Sequence, residues 1–344
     1  MRRVTALALS CAVAMALWLG ACSKPPERLD EKLWAAYAER FVTADGRVMD
    51  RDSDPAGVSH TEGQGYGMLL AEAAGDRAAF ERIWRWTREH LQRRDGLFAW
   101  KYGACAQPGG CVLDNNNASD GDILIAWALL RAGKAWGRAD YLQASRAIAD
   151  TVADRLIVQV GGTSLLLPGV EGFENGTAVV VNPSYWVFPA FTAFAETFQQ
   201  PAWTALADSS QELLRQARFG RWNLPPDWLR VEAGRLDPAP AFPPQYGFNA
   251  VRVPLNLMWG NRADAALLAP YRAFWTSFQN GQVPPAWTDL ATDAVAPYGW
   301  QTGMAAIAAL AGGSADMPQP RADEGYYSWS LALLSRVARA ETAR

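Results

Sequence analysis

From residue 30 onward, apolar positions return with a helical period along most of the chain. Asp76 precedes a stretch in which Phe80, Ile83, Trp84, Thr87 and Leu91 fall at i, i+3, i+4, i+7 and i+11. That is the stripe of an amphipathic helix, with Asp76 at its N-cap. Comparable patterns at 30–42, 62–74, 119–135, 139–156, 184–198, 201–217, 250–260, 263–279, 301–311 and 325–340 predict about eleven helices in all. Residues 123–130 are apolar on every side, as suits a helix surrounded by other helices. All-apolar and amphipathic helices in alternation predict two layers. Strand-like runs are few: 164–167 and 178–181 flank glycine-containing loops and predict one small hairpin. No fixed-period repeat and no low-complexity linker divides the chain, so one domain is expected over 22–344.

The first residues break this pattern. A basic start, Met1-Arg2-Arg3, leads into an apolar run that closes on Leu19-Gly20-Ala21-Cys22, too short to span a membrane. Residues 1–21 therefore predict an export signal, and the protein is expected in the periplasm or outside the cell. Two endings stay open. In one, Cys22 receives a lipid and anchors the chain, with Ser23 resembling the sorting signal for the outer membrane. In the other, ordinary cleavage near Ala21 releases a soluble protein. Export permits disulfides. Cys105 and Cys111, six apart in a loop that contains Pro108, Gly109 and Gly110, are expected to pair, the alternative being two thiols.

Composition narrows the functional classes. With 50% hydrophobic and 19% charged residues the chain is globular rather than disordered. A net charge of -3 supplies no basic field for nucleic acid. Two His and scattered Cys give no zinc-ligand spacing, and no metal or organic cofactor is implied. The 16 Trp are an excess that core filling alone need not explain. Trp100, Trp186, Trp222, Trp228, Trp287 and Trp300 lie beside Gly, Pro or Asn in expected loops, where flat faces suit sugar rings.

Asp120 and Asp122 stand at the start of the most apolar helix, where free N–H groups favour carboxylates. The surrounding string, Ala118-Ser119-Asp120-Gly121-Asp122 through Trp136, resembles the signature of glycoside hydrolase family 8. Further segments resemble that family in the same order. These are Ser59-His60-Thr61-Glu62-Gly63-Gln64-Gly65-Tyr66, Gly96-Leu97-Phe98-Ala99-Trp100, Asn182-Pro183-Ser184-Tyr185 and Tyr246-Gly247-Phe248-Asn249-Ala250-Val251-Arg252. Pro226-Asp227-Trp228 and Tyr326-Tyr327 are similar to pieces of one branch, the cellulases that accompany bacterial cellulose synthases.

The resemblance implies an all-α fold, an (α/α)6 barrel of six inner and six outer helices with a sugar groove over one end. It implies endo-acting, inverting hydrolysis of β-1,4-glucan, with chitosan or xylan as the alternative substrates and a glucan-binding accessory protein as the alternative to an enzyme. Cellulose synthase or secretion machinery would be the protein partner. Glu62 would be the general acid, and Asp120 would hold the sugar at the cleavage point. Gln64, Tyr66, Trp100, Tyr185, Trp228 and Arg252 would bind substrate.

Asn249 departs from the pattern, because an amide stands where the family places the Asp that activates water. Three readings follow: the base has moved to Asp227, Glu232 or Asp237; Asn249 only positions water; or the chain binds glucan without cutting it.

Overall fold

A computed structural model describes residues 29–278 and 281–343. Residues 1–21, expected to be an export signal, and Cys22 lie outside the described residues. Among those described are eleven helices: α1 (Glu31–Phe41), α2 (Thr61–Ala74), α3 (Arg77–Leu91), α4 (Ser119–Trp136), α5 (Ala139–Leu156), α6 (Phe188–Phe198), α7 (Pro201–Gln216), α8 (Val253–Trp259), α9 (Ala265–Thr276), α10 (Thr302–Ala311) and α11 (Tyr326–Thr342). Their boundaries follow local chemistry. Asp76 caps α3 by accepting from the Ala79 N–H at 2.9 Å. Both α2 and α4 end on glycines in the left-handed conformation, Gly75 and Gly137. Two helices start later than their apolar pattern. Short 3-10 turns at Pro183–Tyr185 and Ala250–Arg252 come first, and Pro189 and Pro254 then open α6 and α8, since a proline lacking an N–H fits only the first turn.

Packing sorts the helices into two rings. α2, α4, α6, α8, α10 and α11 neighbour one another in that order, and α11 returns to α2. α1, α3, α5, α7 and α9 pack outside them. The sixth outer position is taken by the irregular segment 312–325, which lies along α11: Arg336 donates to the Met317 and Pro318 carbonyls and Trp329 to that of Arg321. Two side-chain clusters close the ring. Tyr37 of α1 meets Ser330 of α11 at 3.0 Å. Arg131 of α4 pairs with Glu72 of α2 and Glu341 of α11, and Trp259 of α8 donates to Glu341 at 2.7 Å.

Short antiparallel strands fill the connections. β1 (Ser59–His60), β2 (Ala99–Gly103) and β3 (Cys111–Asn117) form one sheet, and Cys105 and Cys111 are sulfur-bonded at its edge with Cα atoms 6.0 Å apart. β4 (Ile157–Val160) pairs β5 (Thr163–Leu166), while β6 (Glu174–Asn175), β7 (Ala178–Val181), β8 (Leu229–Glu232) and β9 (Arg235–Pro238) form a four-stranded sheet. β10 (Gln245–Tyr246) pairs β11 (Thr288–Asp289). The hairpin expected between 164–167 and 178–181 is therefore corrected. Each run folds back on its own sequence neighbour across a tight glycine turn, Gly161-Gly162 for one and Gly176 for the other. The strands matter for placement: β1 leads straight into α2, β3 into α4, β7 into the 183–185 turn and β10 into the turn at 249. Four chain segments thus arrive at one end of the inner ring.

At that end α2 and α4 approach as closely as their backbones allow. A Cβ on Gly121 would stand 2.0 Å from Thr61 Oγ1 and 2.9 Å from its carbonyl carbon, and one on Gly65 would stand 2.6 Å from Leu124 Cβ. We expect Gly121→Ala to force the helices apart and cost about 1–3 kcal/mol of stability, read as a lower urea midpoint. An unchanged midpoint would mean that the contact has slack.

Candidate active site

Glu62 lies in the first turn of α2 and Asp120 in the first turn of α4, so the contact between the two helix starts sets the two carboxyl groups side by side. Between them and the far wall stands Arg252, 4% exposed. Its Nη1 is ion-paired with Glu62 Oε2, lies 3.1 Å from Tyr66 Oη and 3.4 Å from Asp120 Oδ2. Its Nη2 donates to Ser184 Oγ and to Asn249 Oδ1, each at 2.9 Å. Glu62, Asn249 and Arg252 line a cleft of about 1000 Å³, together with Asp50, His60, Phe248, Tyr298, Tyr326 and Tyr327. Phe248 and Tyr298 are 42% and 52% exposed and offer it apolar faces. Asp120, 2% exposed, stands behind Arg252 and reaches the cleft only through Glu62 and Arg252.

Burial dominates the electrostatics. It raises the Asp120 carboxyl to about 8, helped by the Glu62 charge and opposed by Arg252 and the Gly121 N–H. Burial likewise lifts Asp122 to about 7, against hydrogen bonds from Asn117 and the Phe98 N–H. Those two bonds, 2.7 and 2.9 Å, give Asp122 a bracing role: it ties the start of α4 to the preceding β-sheet. Tyr185 sits near Asp120, and burial together with that charge holds its hydroxyl protonated.

Several residues assigned to substrate binding occupy other places. Gln64 is fully buried: its Oε1 accepts from the Val48 N–H at 2.6 Å and its Nε2 donates to Thr87 at 2.7 Å, so it holds the 46–48 loop rather than sugar. Tyr66 stands behind Arg252 and braces it. Trp228, half-buried, stacks with Phe173 and Phe242, centroids 5.8 and 4.3 Å away. Trp100 stacks on His60 at 5.5 Å, and it is His60 that lines the cleft. Trp186 is fully buried and belongs to the core.

The acids considered as a moved base do not reach the cleft. Asp227 is 3% exposed, and its Oδ1 accepts from the Gly247 and Ala250 N–H groups at 3.0 and 2.7 Å, which staples the turn that carries Asn249. Glu232 and Asp237 sit on β8 and β9 and pair with Arg230 and Arg235. Conversely, Asn182, Ser184, Phe248 and Tyr298 belong to the site or its support and were not singled out from the sequence. Asn182 and Ser184 had a visible signal, as polar residues on either side of Pro183 in a motif read only for its Tyr.

Two carboxyls raised this far carry a pH signature. An Asp in the unfolded chain loses its proton near 3.9. The folded state keeps the protons of Asp120 and Asp122 to about 8 and about 7, so their contribution to stability is complete below about 4 and is lost as pH climbs through that window. Urea midpoints measured from pH 4 to pH 8 should fall, with a shallower slope in Asp120→Asn; a flat profile would contradict the burial of these groups.

The likeness to known proteins covers nearly the whole chain. The model of glycosyl hydrolases family 8 matches residues 2–341. A probable endoglucanase of Novacetimonas hansenii is 39% identical over 327 residues, 94% of each chain, and an endoglucanase of Cellulomonas uda is 42% identical over 82% of this chain and 77% of its own. Among solved structures, a family 8 endoglucanase of Klebsiella pneumoniae superposes with a TM-score of 0.85 at 41% identity, covering 91% of this chain and all of that one. With the two-ring helical barrel and the Glu62, Asp120 and Arg252 cluster at its end, these matches make the chain a member of glycosyl hydrolases family 8.

Proposed function

We propose that the protein is an inverting endo-β-1,4-glucanase in which Glu62 is the general acid. The observation that carries this reading is the position of Glu62: it is the carboxyl that lines the cleft while contacting both a second acid system and a buried cation. In the reaction Glu62 gives its proton to the glycosidic oxygen as the C1–O bond breaks. Water attacks C1 from the opposite face, loses a proton, and leaves the new hydroxyl inverted. Asp120 stands beside Glu62, its carboxyl raised by burial and by the Glu62 charge against the pull of Arg252, and once the Glu62–Arg252 pair parts it can meet a sugar hydroxyl.

Water activation is the weak half. Asn249 has no ordinary proton-accepting role, and the three acids that precede it are engaged elsewhere. We assign the water proton to solvent rather than to Asp50, Asp52 or Asp323, the other acids that line the cleft. Glu62→Gln should lower kcat on cellohexaose by about 10²-fold or more with its helical circular dichroism retained and its melting temperature lowered, because buried Arg252 loses a charged partner. Asn249→Asp should raise kcat by about 10²-fold, general-base help being worth about 10²–10⁴. If Glu62→Gln retains full activity, the acid is another residue; if Asn249→Asp gains nothing, water already has a base.

One observation favours a second substrate. Asp50, Asp52, Glu62 and Asp323 line the cleft against Arg252, an acidic balance that suits the cationic chains of chitosan. Initial rates on cellohexaose and on the glucosamine hexamer separate the two readings. The basic and apolar start supports export, with the periplasm as the site of action and Cys22 as a lipid anchor. The resemblance around Asp227 and Trp228 supports a tie to cellulose synthesis. Fractionation of Cys22→Ala tests the anchor, which should move protein from the membrane to the soluble fraction.

A further inference from the structure

Asn182 and Ser184 join Arg252 and Asn249 in a closed ring of four hydrogen bonds. Arg252 Nη2 donates to Ser184 Oγ at 2.9 Å, Ser184 Oγ to Asn182 Oδ1 at 2.7 Å, and Asn182 Nδ2 to Asn249 Oδ1 at 3.1 Å. A second bond from Arg252 Nη2 to Asn249 Oδ1, 2.9 Å, closes it.

Donor chemistry fixes the direction of every member. A guanidinium can only donate, so Ser184 Oγ must accept from it and spend its own hydrogen on Asn182. The Ser184 N–H also donates to Asn182 Oδ1, at 3.0 Å, which pins that oxygen and turns Asn182 Nδ2 toward residue 249. Two donors, one cationic, then converge on a single atom of the 249 side chain. Reversing the Asn249 amide would set N–H against N–H twice, so its oxygen is held in the ring and its Nδ2 is left for the cleft. The amide consequently presents a donor there. A water that accepts from Nδ2 spends a lone pair on the protein, the opposite of what a nucleophile being deprotonated requires.

The same ring fits a carboxylate. In Asn249→Asp, Oδ1 would keep both donors and Oδ2 would stand where Nδ2 stands, an acceptor facing water. Beneath, the stapling of the 247–250 turn by Asp227 involves backbone N–H groups and is indifferent to this exchange. We propose, building on the endoglucanase reading above, that Asn182 and Ser184 are positioning residues that aim side-chain 249 into the cleft through this ring. The difference between a weak and a strong enzyme is then one atom in a cradle already shaped for the acid.

The charged and titratable groups around position 249 are Arg252 in contact with it, Glu62 and Asp120 across that guanidinium, Asp227 below the turn, Tyr185 and Tyr327 alongside Arg252 or its partners, and Asp50, Asp52, His60, Tyr298, Asp323 and Tyr326 in the shared cleft. Arg252 and the Asn182 amide should hold the carboxyl introduced by Asn249→Asp below the ordinary range. The test uses the full chain with Asn249→Asp alone and combined with Asn182→Ala or with Ser184→Ala, each checked by thermal melting. The readouts are the pH profile of kcat on cellohexaose and the ¹³C titration of the new carboxyl.

Adding Asn182→Ala should lower kcat by at least about 10-fold, move the acid limb and the titration midpoint to higher pH, and leave KM nearly unchanged, part of the general-base gain being lost. Ser184→Ala should act in the same direction more weakly, because the Ser184 N–H still holds Asn182. An unmoved midpoint with unchanged kcat in both double variants would overturn the ring's positioning role. If Asn249→Asp proves inert on every glucan, the midpoint still reports on the ring, and it is the endoglucanase reading that fails.

Discussion

A guanidinium taken out of water loses hydration worth several kcal/mol, and Arg252 can remain buried only because four chain segments bring it oxygen atoms. Glu62 and Tyr66 come from α2, Asp120 from α4, Ser184 from the turn before α6, and Asn249 from the turn before α8. None of these segments is near another in sequence. The barrel supplies the meeting point, because its inner helices start at one end and short strands deliver the chain to those starts. The dependence also runs the other way: without the cation, Asp120 would be a buried acid beside Glu62 with no positive group facing it.

Within this arrangement an exchange between amide and acid at position 249 would be structurally quiet. Asn and Asp have nearly the same shape, and the oxygen that faces Arg252 is common to both. What changes is the sign of the hydrogen bond offered to the cleft. Local packing therefore gives little reason for either residue to be rejected, and a substitution of this kind can persist without disturbing the fold. The acidic lining of the cleft places further weight on Arg252, the positive group facing Glu62 there.

Much of the fold was legible because long amphipathic stripes survive tertiary packing: the Asp76-capped helix and the apolar 123–130 stretch behave as their patterns require. The strands were harder to read. Two- to five-residue runs such as Glu174–Asn175 carry no period of their own, and their pairing depends on turns whose glycines serve equally well in loops. At the site, Glu62, Asp120 and Arg252 stood out through ordered motifs. Of the loop tryptophans, Trp186 went into the core and Trp228 stacks with Phe173 and Phe242 while staying half-buried, because a loop sequence does not say which surface it will lie against. Gln64 illustrates the same limit, since a motif residue beside the acid can serve the backbone rather than the substrate.

The bond between Tyr37 and Ser330 spans 293 residues of sequence. Closure of the inner ring is therefore a late event during synthesis, because α2 and α8 lack part of their cover until α11 has emerged. Contacts this distant in sequence slow folding and leave apolar seams open in the nascent chain. The wall of the cleft contributed by Tyr326 and Tyr327 arrives with that same helix. Glu62 thus lies near the start of the described chain while part of the groove wall comes from its last helix, so the groove is complete only once α11 has docked.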